Sequence, residues 1–329
     1  MSEQGKVGDT LFGRTTALRL LLDGGLLGAR SWSRWLLGGA AVLSVAFVGI
    51  AAAAAAPAPD RWIVFAGASD SGDIGQLYRI RTSGGGLKQI TKDNLPATSP
   101  AFSPDGGRIA FLRIGAGIFT VSMNGKGLRR LTRNGRDSFP AWSPDGKQIA
   151  FVRPTKNGWA VYVMSSSGAG QRRLPRAPAA GRPSWTPSGL LVPAGGDLVK
   201  INALTGNVEK YFNAQIDAIW GLAGVGVAEN ISALTFVGTR EPSAGDTDCG
   251  EGPCQRFALY LERLLGSNRS PRLLFRDAGP ATFSGDGKRL VFVRLGKIWI
   301  WRIDTGAATK ISTGRIIPSV DSPPALKPR

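Results

Sequence analysis

The chain has 329 residues, 43% of them hydrophobic, and a formal net charge of +18 at pH 7. Its 45 glycines and 21 prolines suit a large all-β domain with many tight turns. The sequence contains no histidine, which excludes Ser-His-Asp and Cys-His nucleophiles, histidine-ligated metal sites and the usual general base near neutral pH. We therefore expect no cofactor and no metal.

The first apolar segment, residues 36–56, contains neither a charged residue nor a proline. At ~1.5 Å per residue it is long enough to cross a hydrocarbon layer of ~30 Å, so it predicts one transmembrane helix that acts as a signal anchor. Basic residues outnumber acidic ones in residues 1–35, which places this short segment in the cytoplasm. Residues 57–329 are then expected outside the cell membrane. A cleaved signal peptide is the alternative, because Ala54-Ala55-Ala56 offers small residues for cleavage.

A repeat with a period near 40 residues follows the apolar segment. Phe102-Ser103-Pro104-Asp105-Gly106 returns as Trp142-Ser143-Pro144-Asp145-Gly146 and as Phe283-Ser284-Gly285-Asp286-Gly287, each time before an apolar run. A short strand, an Asp-Gly turn and an apolar strand at this period are typical of a four-stranded propeller blade. Six such units fit between residues 57 and 329. The sequence therefore predicts an all-β, six-bladed propeller, with strands A to D of each blade running from the central channel outwards.

The first unit lacks its strand A. Trp62-Ile63-Val64-Phe65 has the character of a strand B, and only the four-residue linker 57–60 and Arg61 separate it from residue 56. Near the C-terminus, Ile317-Pro318-Ser319-Val320 has the same pattern as Phe139-Pro140-Ala141-Trp142. We expect a C-terminal strand, residues 316–320, to complete the first blade and close the ring, which removes an open sheet edge.

The only two cysteines, Cys249 and Cys254, lie in a long insertion of the fifth unit. In an oxidising compartment they are expected to form a local disulfide. A zinc site is the weaker alternative, because two thiolates without histidine leave the metal short of ligands. The acids of this insertion could hold calcium through oxygen ligands, but they lack the spacing of a full calcium loop.

These repeats resemble the TolB-like β-propeller family, most clearly in residues 77–91, 99–132 and 139–174. The resemblance implies a binding platform in the cell envelope. TolB carries an α/β domain before its propeller, and this chain has the predicted membrane helix in that place. The resemblance therefore carries over the fold and the idea of a binding module, and it assigns no partner.

Arginines collect on one expected face of the propeller, where strands B end and strands A begin. Arg113, Arg153 and Arg294 end strand B at equivalent places in three units, and the connections before strand A add Arg133, Arg136 and Arg182. Guanidinium groups clustered in this way could bind carboxylates or phosphates. The alternative is that these arginines only keep the domain soluble or pair with nearby acids.

The sequence predicts a non-catalytic, membrane-anchored binding or assembly module in the cell envelope. Its expected partner is an envelope protein, in particular an acidic one, or an anionic envelope polymer, and nucleic acid is not expected outside the membrane. Two alternatives stay open. One is an enzyme that uses a carboxylate pair on an anionic glycan, and the other is a regulatory partner of a neighbouring membrane protein.

Overall fold

The structure is a computed structural model that describes residues 61–69, 75–179, 181–194, 197–213, 225–228, 233–240, 256–263, 272–319 and 322–328. The chain divides into two compact units, Met1–Ala56 and Pro57–Arg329, and all described residues belong to the second. The predicted cytoplasmic segment, the predicted transmembrane helix and the cysteine pair lie outside the described residues. Within the described ranges, no helix has the length and apolarity needed to cross a membrane.

The described part is built of 25 strands. The first three are β1 (Trp62–Ser69), β2 (Gln76–Arg81) and β3 (Lys88–Gln89). Blade 1 contains β4 (Ala97–Phe102), β5 (Ile109–Arg113), β6 (Gly117–Val121) and β7 (Arg129–Arg130). Blade 2 contains β8 (Ser138–Trp142), β9 (Gln148–Thr155), β10 (Gly158–Ser165) and β11 (Arg172–Ala179). Blade 3 contains β12 (Ser184–Thr186), β13 (Gly189–Ala194), β14 (Asp197–Ile201) and β15 (Val208–Asn213).

The remaining strands complete two further blades and a last sheet. Blade 4 contains β16 (Val225–Ala228), β17 (Ala233–Arg240), β18 (Arg256–Arg263) and β19 (Arg272–Arg276). Blade 5 contains β20 (Thr282–Phe283), β21 (Arg289–Arg294), β22 (Lys297–Arg302) and β23 (Ala308–Ile311). The chain then adds β24 (Ile316–Pro318) and β25 (Ala325–Leu326). Each blade is an antiparallel sheet in chain order.

The expectation of six four-stranded blades needs a correction. Five blades, numbered 1 to 5 here, have four consecutive strands. The first unit of the sequence prediction does not form such a blade, because β1, β2 and β3 combine with β24 and β25 into a single five-stranded sheet, here called the closing sheet. Both C-terminal strands pair antiparallel with β1, β24 at Gly67 to Ser69 and β25 at Ile63 and Val64. The sequence had indicated only one strand there. The second is needed because β1 is eight residues long and β24 covers only one end of it.

The closing contact depends on a glycine. A Cβ atom at Gly67 would lie 2.9 Å from Cγ2 of Ile316 and 2.9 Å from the carbonyl oxygen of Ile317. Real Cβ atoms do not approach backbone so closely, so only glycine allows β24 to lie against β1 at this point.

The first strands of the blades form the inner ring. β4, β8, β12, β16 and β20 contact one another in succession, and β25 contacts both β20 and β4. The fourth strands are the outer edges, and β7 consists of two exposed arginines. Charged side chains on an edge strand discourage pairing with another chain.

The second strand of each sheet supplies the core. Phe65, Phe111, Phe151 and Phe292 are fully buried at equivalent positions of four sheets. These strands lie between two neighbouring sheets and are buried on both faces, which explains why they read as continuous apolar runs rather than alternating ones. Apolar clusters accordingly join neighbouring sheets, as where Val64 and Leu77 pack with Ile109 and Phe111.

The repeated Asp-Gly turns are held by the same hydrogen bonds. Ser103 donates its hydroxyl to Oδ1 of Asp105 at 2.5 Å, and Ser143 does the same to Asp145 at 2.6 Å. The backbone N–H two residues after each aspartate donates to the same Oδ1. These bonds, the serine hydroxyl first, lower the pKa of both aspartates below the ordinary value of 3.8.

The turns should therefore make the fold sensitive to acid. A lowered carboxyl pKa contributes stability above the ordinary pKa of 3.8, and that contribution is lost as the pH falls through the lowered, folded-state value. We expect the double variant Asp105→Asn/Asp145→Asn to show a smaller fall in Tm between pH 7 and pH 3 than the wild type. Thermal unfolding followed by circular dichroism measures this. Ser143→Ala should reduce the acid-dependent fall in part, and an unchanged fall in the double variant would contradict this account.

The closing sheet gives a second prediction. Leu326 is 8% exposed and packs with Ile63 and Phe65, whereas Leu204 is 79% exposed. Leu326→Ala should lower the free energy of unfolding by about 2–5 kcal/mol, because it leaves a cavity against β1. Leu204→Ala, the control, should change it by less than about 0.5 kcal/mol. Urea unfolding measures both, and equal effects would show that β25 adds little to the closure.

Candidate functional site

The propeller has two chemically different faces. The turns from first to second strand and from third to fourth strand form one of them, here called the turn face. The connections from second to third strand, and from each blade to the next, form the other, here called the arginine face. All six arginines named by the sequence analysis lie at the arginine face, but the structure holds them in four different ways.

Arg153 is bound tightly inside its own blade. Its Nε lies 2.5 Å from Oδ1 of Asp137, and one terminal nitrogen lies 2.8 Å from Oδ2 of the same carboxylate. The same nitrogen donates to Gln171 at 2.9 Å. Asp137 is fully buried, and its hydrogen bond and charge raise the pKa of Arg153 above the usual arginine value. The guanidinium thus has a complete internal partner.

Arg113 is held in a similar way. Its side chain is buried and forms an ion pair with Asp93, which lies in the connection before blade 1. Its guanidinium lies 4.9 Å from the ring centre of Phe119 and 5.6 Å from that of Phe111. Little of this charge is available to an external ligand.

Arg294 has a weaker internal partner. Its Nε donates to the backbone carbonyl of Arg276 at 2.9 Å, and the guanidinium lies 5.7 Å from the ring centre of Phe275 and 6.0 Å from that of Trp299. In the described part of the chain no carboxylate pairs with it.

A structural cause explains why these three arginines repeat. Each stands two residues after a fully buried phenylalanine of the second strand, and that phenylalanine has an aromatic partner on the third strand. The guanidiniums therefore stack on aromatic rings of their own blades. The pattern Phe-x-Arg is visible in the sequence, as are Asp93 and Asp137, but the sequence alone did not show that they meet. A role of the three in anion binding stays a prediction.

Arg133 and Arg136 are exposed on the connection between blades 1 and 2. The contacts of this connection are made by backbone: the carbonyl of Arg133 accepts from Arg130 at 3.3 Å, and the N–H of Arg136 donates to Asn134 at 3.0 Å. Neither guanidinium pairs with an acid among the described residues. Their charges face solvent.

Arg182 lies at the entrance of the central channel, two residues before the inner strand β12. A terminal nitrogen lies 3.3 Å from the carbonyl oxygen of Pro100 on β4. Strand β8 lies between these two inner strands in the ring, so the side chain reaches across the channel from blade 3 to blade 1. It keeps partial contact with solvent, yet the surrounding protein desolvates the charge and lowers its pKa to about 10.

No carboxylate accompanies this guanidinium on the inner ring. Strands β4, β8, β12, β16, β20, β24 and β25 contain no Asp or Glu. In the described ranges there is also no group of three or more Cys, His, Asp or Glu that could share a metal ion. The inner strands therefore offer small, apolar and hydroxyl side chains around one desolvated cation. This arrangement can bind an anionic group, and the described inner strands contain no pair of acids such as glycoside hydrolysis uses.

Sheets arranged in a ring, with the first strands innermost and the first and last described strands paired in one sheet, define an all-β propeller. The TolB beta propeller domain matches residues 37–193 of this chain. The resemblance noted in the sequence is thus confirmed, and the chain carries TolB-type propeller repeats. No curated protein matches the sequence.

Solved structures agree with this assignment. TolB from Acinetobacter baumannii is similar with a TM-score of 0.62 and 17% identity, over 82% of this chain and 67% of that one. A chain of a nidogen/laminin complex is similar with a TM-score of 0.60 and 11% identity, over 82% and 98%. A protein assigned as TolB from Agrobacterium tumefaciens gives a TM-score of 0.53 and 15% identity, over 81% and 94%. At these identities the likeness establishes the fold alone. The match to TolB-type propeller repeats indicates a binding or protein-interaction module in general terms.

The internal role of Arg153 can be tested by replacing its guanidinium with the ammonium group of lysine, which keeps the charge. Arg153→Lys should lower the free energy of unfolding by about 1–3 kcal/mol, because lysine cannot bind Asp137 through two nitrogens and leaves buried acceptors unpaired. Arg136→Lys, an exposed control on the neighbouring connection, should change it by less than about 0.5 kcal/mol. Urea unfolding of both variants decides. A stability of Arg153→Lys equal to that of the wild type would return this arginine to the candidates for ligand binding.

Proposed function

We propose that this protein is a non-catalytic binding module of the cell envelope. The predicted helix at residues 36–56 holds it at the membrane, and residues 57–329 lie on the outer side. The arginine face binds a carboxylate-bearing segment of an acidic envelope protein, with Arg182 as the central contact. The TolB-type fold supports the general class of function. The chemistry around Arg182 supports the choice of ligand.

The observation that carries the proposal is the state of Arg182. A guanidinium has five N–H donors, and the described contacts of this one include a single carbonyl at 3.3 Å. Loss of hydration without a counter-charge is unfavourable, as the lowered pKa reflects. A carboxylate that entered the channel would supply the missing charge and accept two of the free donors, in the paired geometry that arginine prefers.

The surroundings of Arg182 add to its suitability. The exposed guanidiniums of Arg133 and Arg136 lie on the same face and would attract an acidic segment before it reaches the channel. Ile114, 53% exposed, lies in a connection of this face, and Trp159, 47% exposed, is the second residue of β10, beside the connection from β9. A polypeptide can contact apolar and charged groups together, whereas a simple polyanion uses only the charges. This favours an acidic protein over an anionic polymer as the partner.

Binding of defined polyanions tests the central contact. Poly-L-glutamate and polyphosphate would be titrated into the purified full-length chain over a salt series, beside the variants Arg182→Gln and Arg136→Gln. We expect poly-L-glutamate to bind, and Arg182→Gln to weaken that binding about tenfold or more, because charged hydrogen bonds contribute about 1.5–3 kcal/mol. Arg136→Gln, which removes one exposed charge, should weaken it less than about threefold.

The outcomes separate the alternatives. Equal binding of poly-L-glutamate by wild type and Arg182→Gln would remove the channel from the proposal. The other outcome is that polyphosphate binds more tightly than poly-L-glutamate, and that Arg182→Gln and Arg136→Gln weaken its binding equally. This outcome would favour an anionic polymer held by the surface charges. Urea unfolding of Arg182→Gln serves as the control that this variant is folded, for both polyanions.

A further inference from the structure

A cleft on the turn face, opposite the arginine face, has no part in the function proposed above. It lies between blades 1 and 2, where the Asp-Gly turns of the two blades meet, and it has a volume of about 510 Å³. Pockets for small molecules commonly have volumes of about 300–1,000 Å³. Its walls include Asp105, Arg108 and Arg129 from blade 1, and Trp142, Asp145 and Ser166 from blade 2.

The blade 1 wall brings two arginines together. Arg108 donates to the hydroxyl of Thr120 at 3.0 Å, and Arg129 is the cross-strand partner of the same threonine. Both side chains are exposed. Arg129 forms no ion pair or side-chain hydrogen bond among the described residues. Arg129 thus stands across the strand pair from the threonine that Arg108 contacts, and its guanidinium, without a partner in this part of the chain, is available to an anionic group.

The two aspartates of the cleft each have one carboxylate oxygen that the turn does not use. Asp105 and Asp145 each use Oδ1 to accept the bonds of their own turns. In the described part, no hydrogen bond or ion pair involves Oδ2 of either residue. The turns fix both carboxylates in position, one on each blade. Their second oxygens can accept hydrogen bonds from hydroxyl groups of a ligand.

These features together select a class of ligand. A bare anion would meet two carboxylates as well as two guanidiniums, and a neutral sugar would leave the guanidiniums unused. A sugar with one anionic substituent satisfies both sets, because its hydroxyls donate to the carboxylates and its anionic group accepts from the arginines. Ser166, beside the cleft, adds a hydroxyl that can donate or accept. We propose that this cleft binds an acidic saccharide unit, carboxylated or phosphorylated.

The structure offers a matched control for the test. Arg172 on β11 occupies the strand position of Arg129 one blade further on, since Arg129 pairs with Thr120 and Arg172 with Val163 at equivalent places. Arg172 is also exposed, but it donates to the carbonyl of Ala203 in the next blade. Replacement of either arginine by serine removes one surface charge, and only Arg129→Ser changes the cleft.

In the experiment, sugars are titrated into the full-length chain, and binding is measured by calorimetry and by saturation-transfer NMR. The probes are galacturonate and glucose 1-phosphate, with galactose, glucose and inorganic phosphate as controls. We expect at least one acidic sugar to bind more than tenfold more tightly than its neutral counterpart and than phosphate. Arg129→Ser should weaken that binding at least fivefold and Arg172→Ser less than twofold. Asp145→Asn, which keeps the turn acceptor Oδ1, should also weaken it.

Three results would overturn the proposal. The first is that neither acidic sugar binds. The second is that inorganic phosphate binds as tightly as glucose 1-phosphate, which would make the cleft a general anion site. The third is that Arg129→Ser and Arg172→Ser have the same effect, which would locate the binding elsewhere. None of these results depends on Arg182, so this proposal and the proposed function can fail independently.

Discussion

The packing of one sheet against the next is the constraint on which this propeller depends. The second strands β1, β5, β9 and β21 are covered on both sides by neighbouring sheets, and their residues Phe65, Phe111, Phe151 and Phe292 are fully buried there. A sheet with two apolar faces is unstable alone, because burial of apolar area is the main favourable term. The blades therefore stabilise one another in series. Every sheet has both faces covered only when the ring is complete.

The same burial decides what the arginines at the ends of these strands can do. A side chain two residues beyond a buried phenylalanine emerges beside the aromatic pair of its own blade. Arg113 and Arg153 meet both the rings and an acid from the preceding connection. Their charges are used within the fold. Arg182 differs because it precedes an inner strand, and no acid in the described part of the chain pairs with it.

Much of this architecture could be predicted from the sequence, because the Asp-Gly turn and the apolar run after it mark three of the repeats directly and set their period. The pairing of β25 with β1 could not, since Ala325-Leu326 is too short to show strand periodicity. The six arginines were located on one face, but the sequence does not show contacts between distant residues. Asp93 and Asp137 precede their blades by different spacings, and only the folded chain reveals that each pairs with an arginine. The cleft on the turn face was also missed, because its acids read simply as turn residues.

The closing sheet has a consequence for how the protein is made. Its first strand, β1, is among the earliest parts of the propeller to be synthesised, while its two partners, β24 and β25, are among the last. Until β24 and β25 have left the ribosome, β1 presents an unpaired edge and β4 lacks its neighbour β25 on the inner ring. Unpaired edges promote association with other chains. The nascent propeller thus passes through an open-ring stage, which lasts until β24 and β25 have been synthesised and have paired with β1.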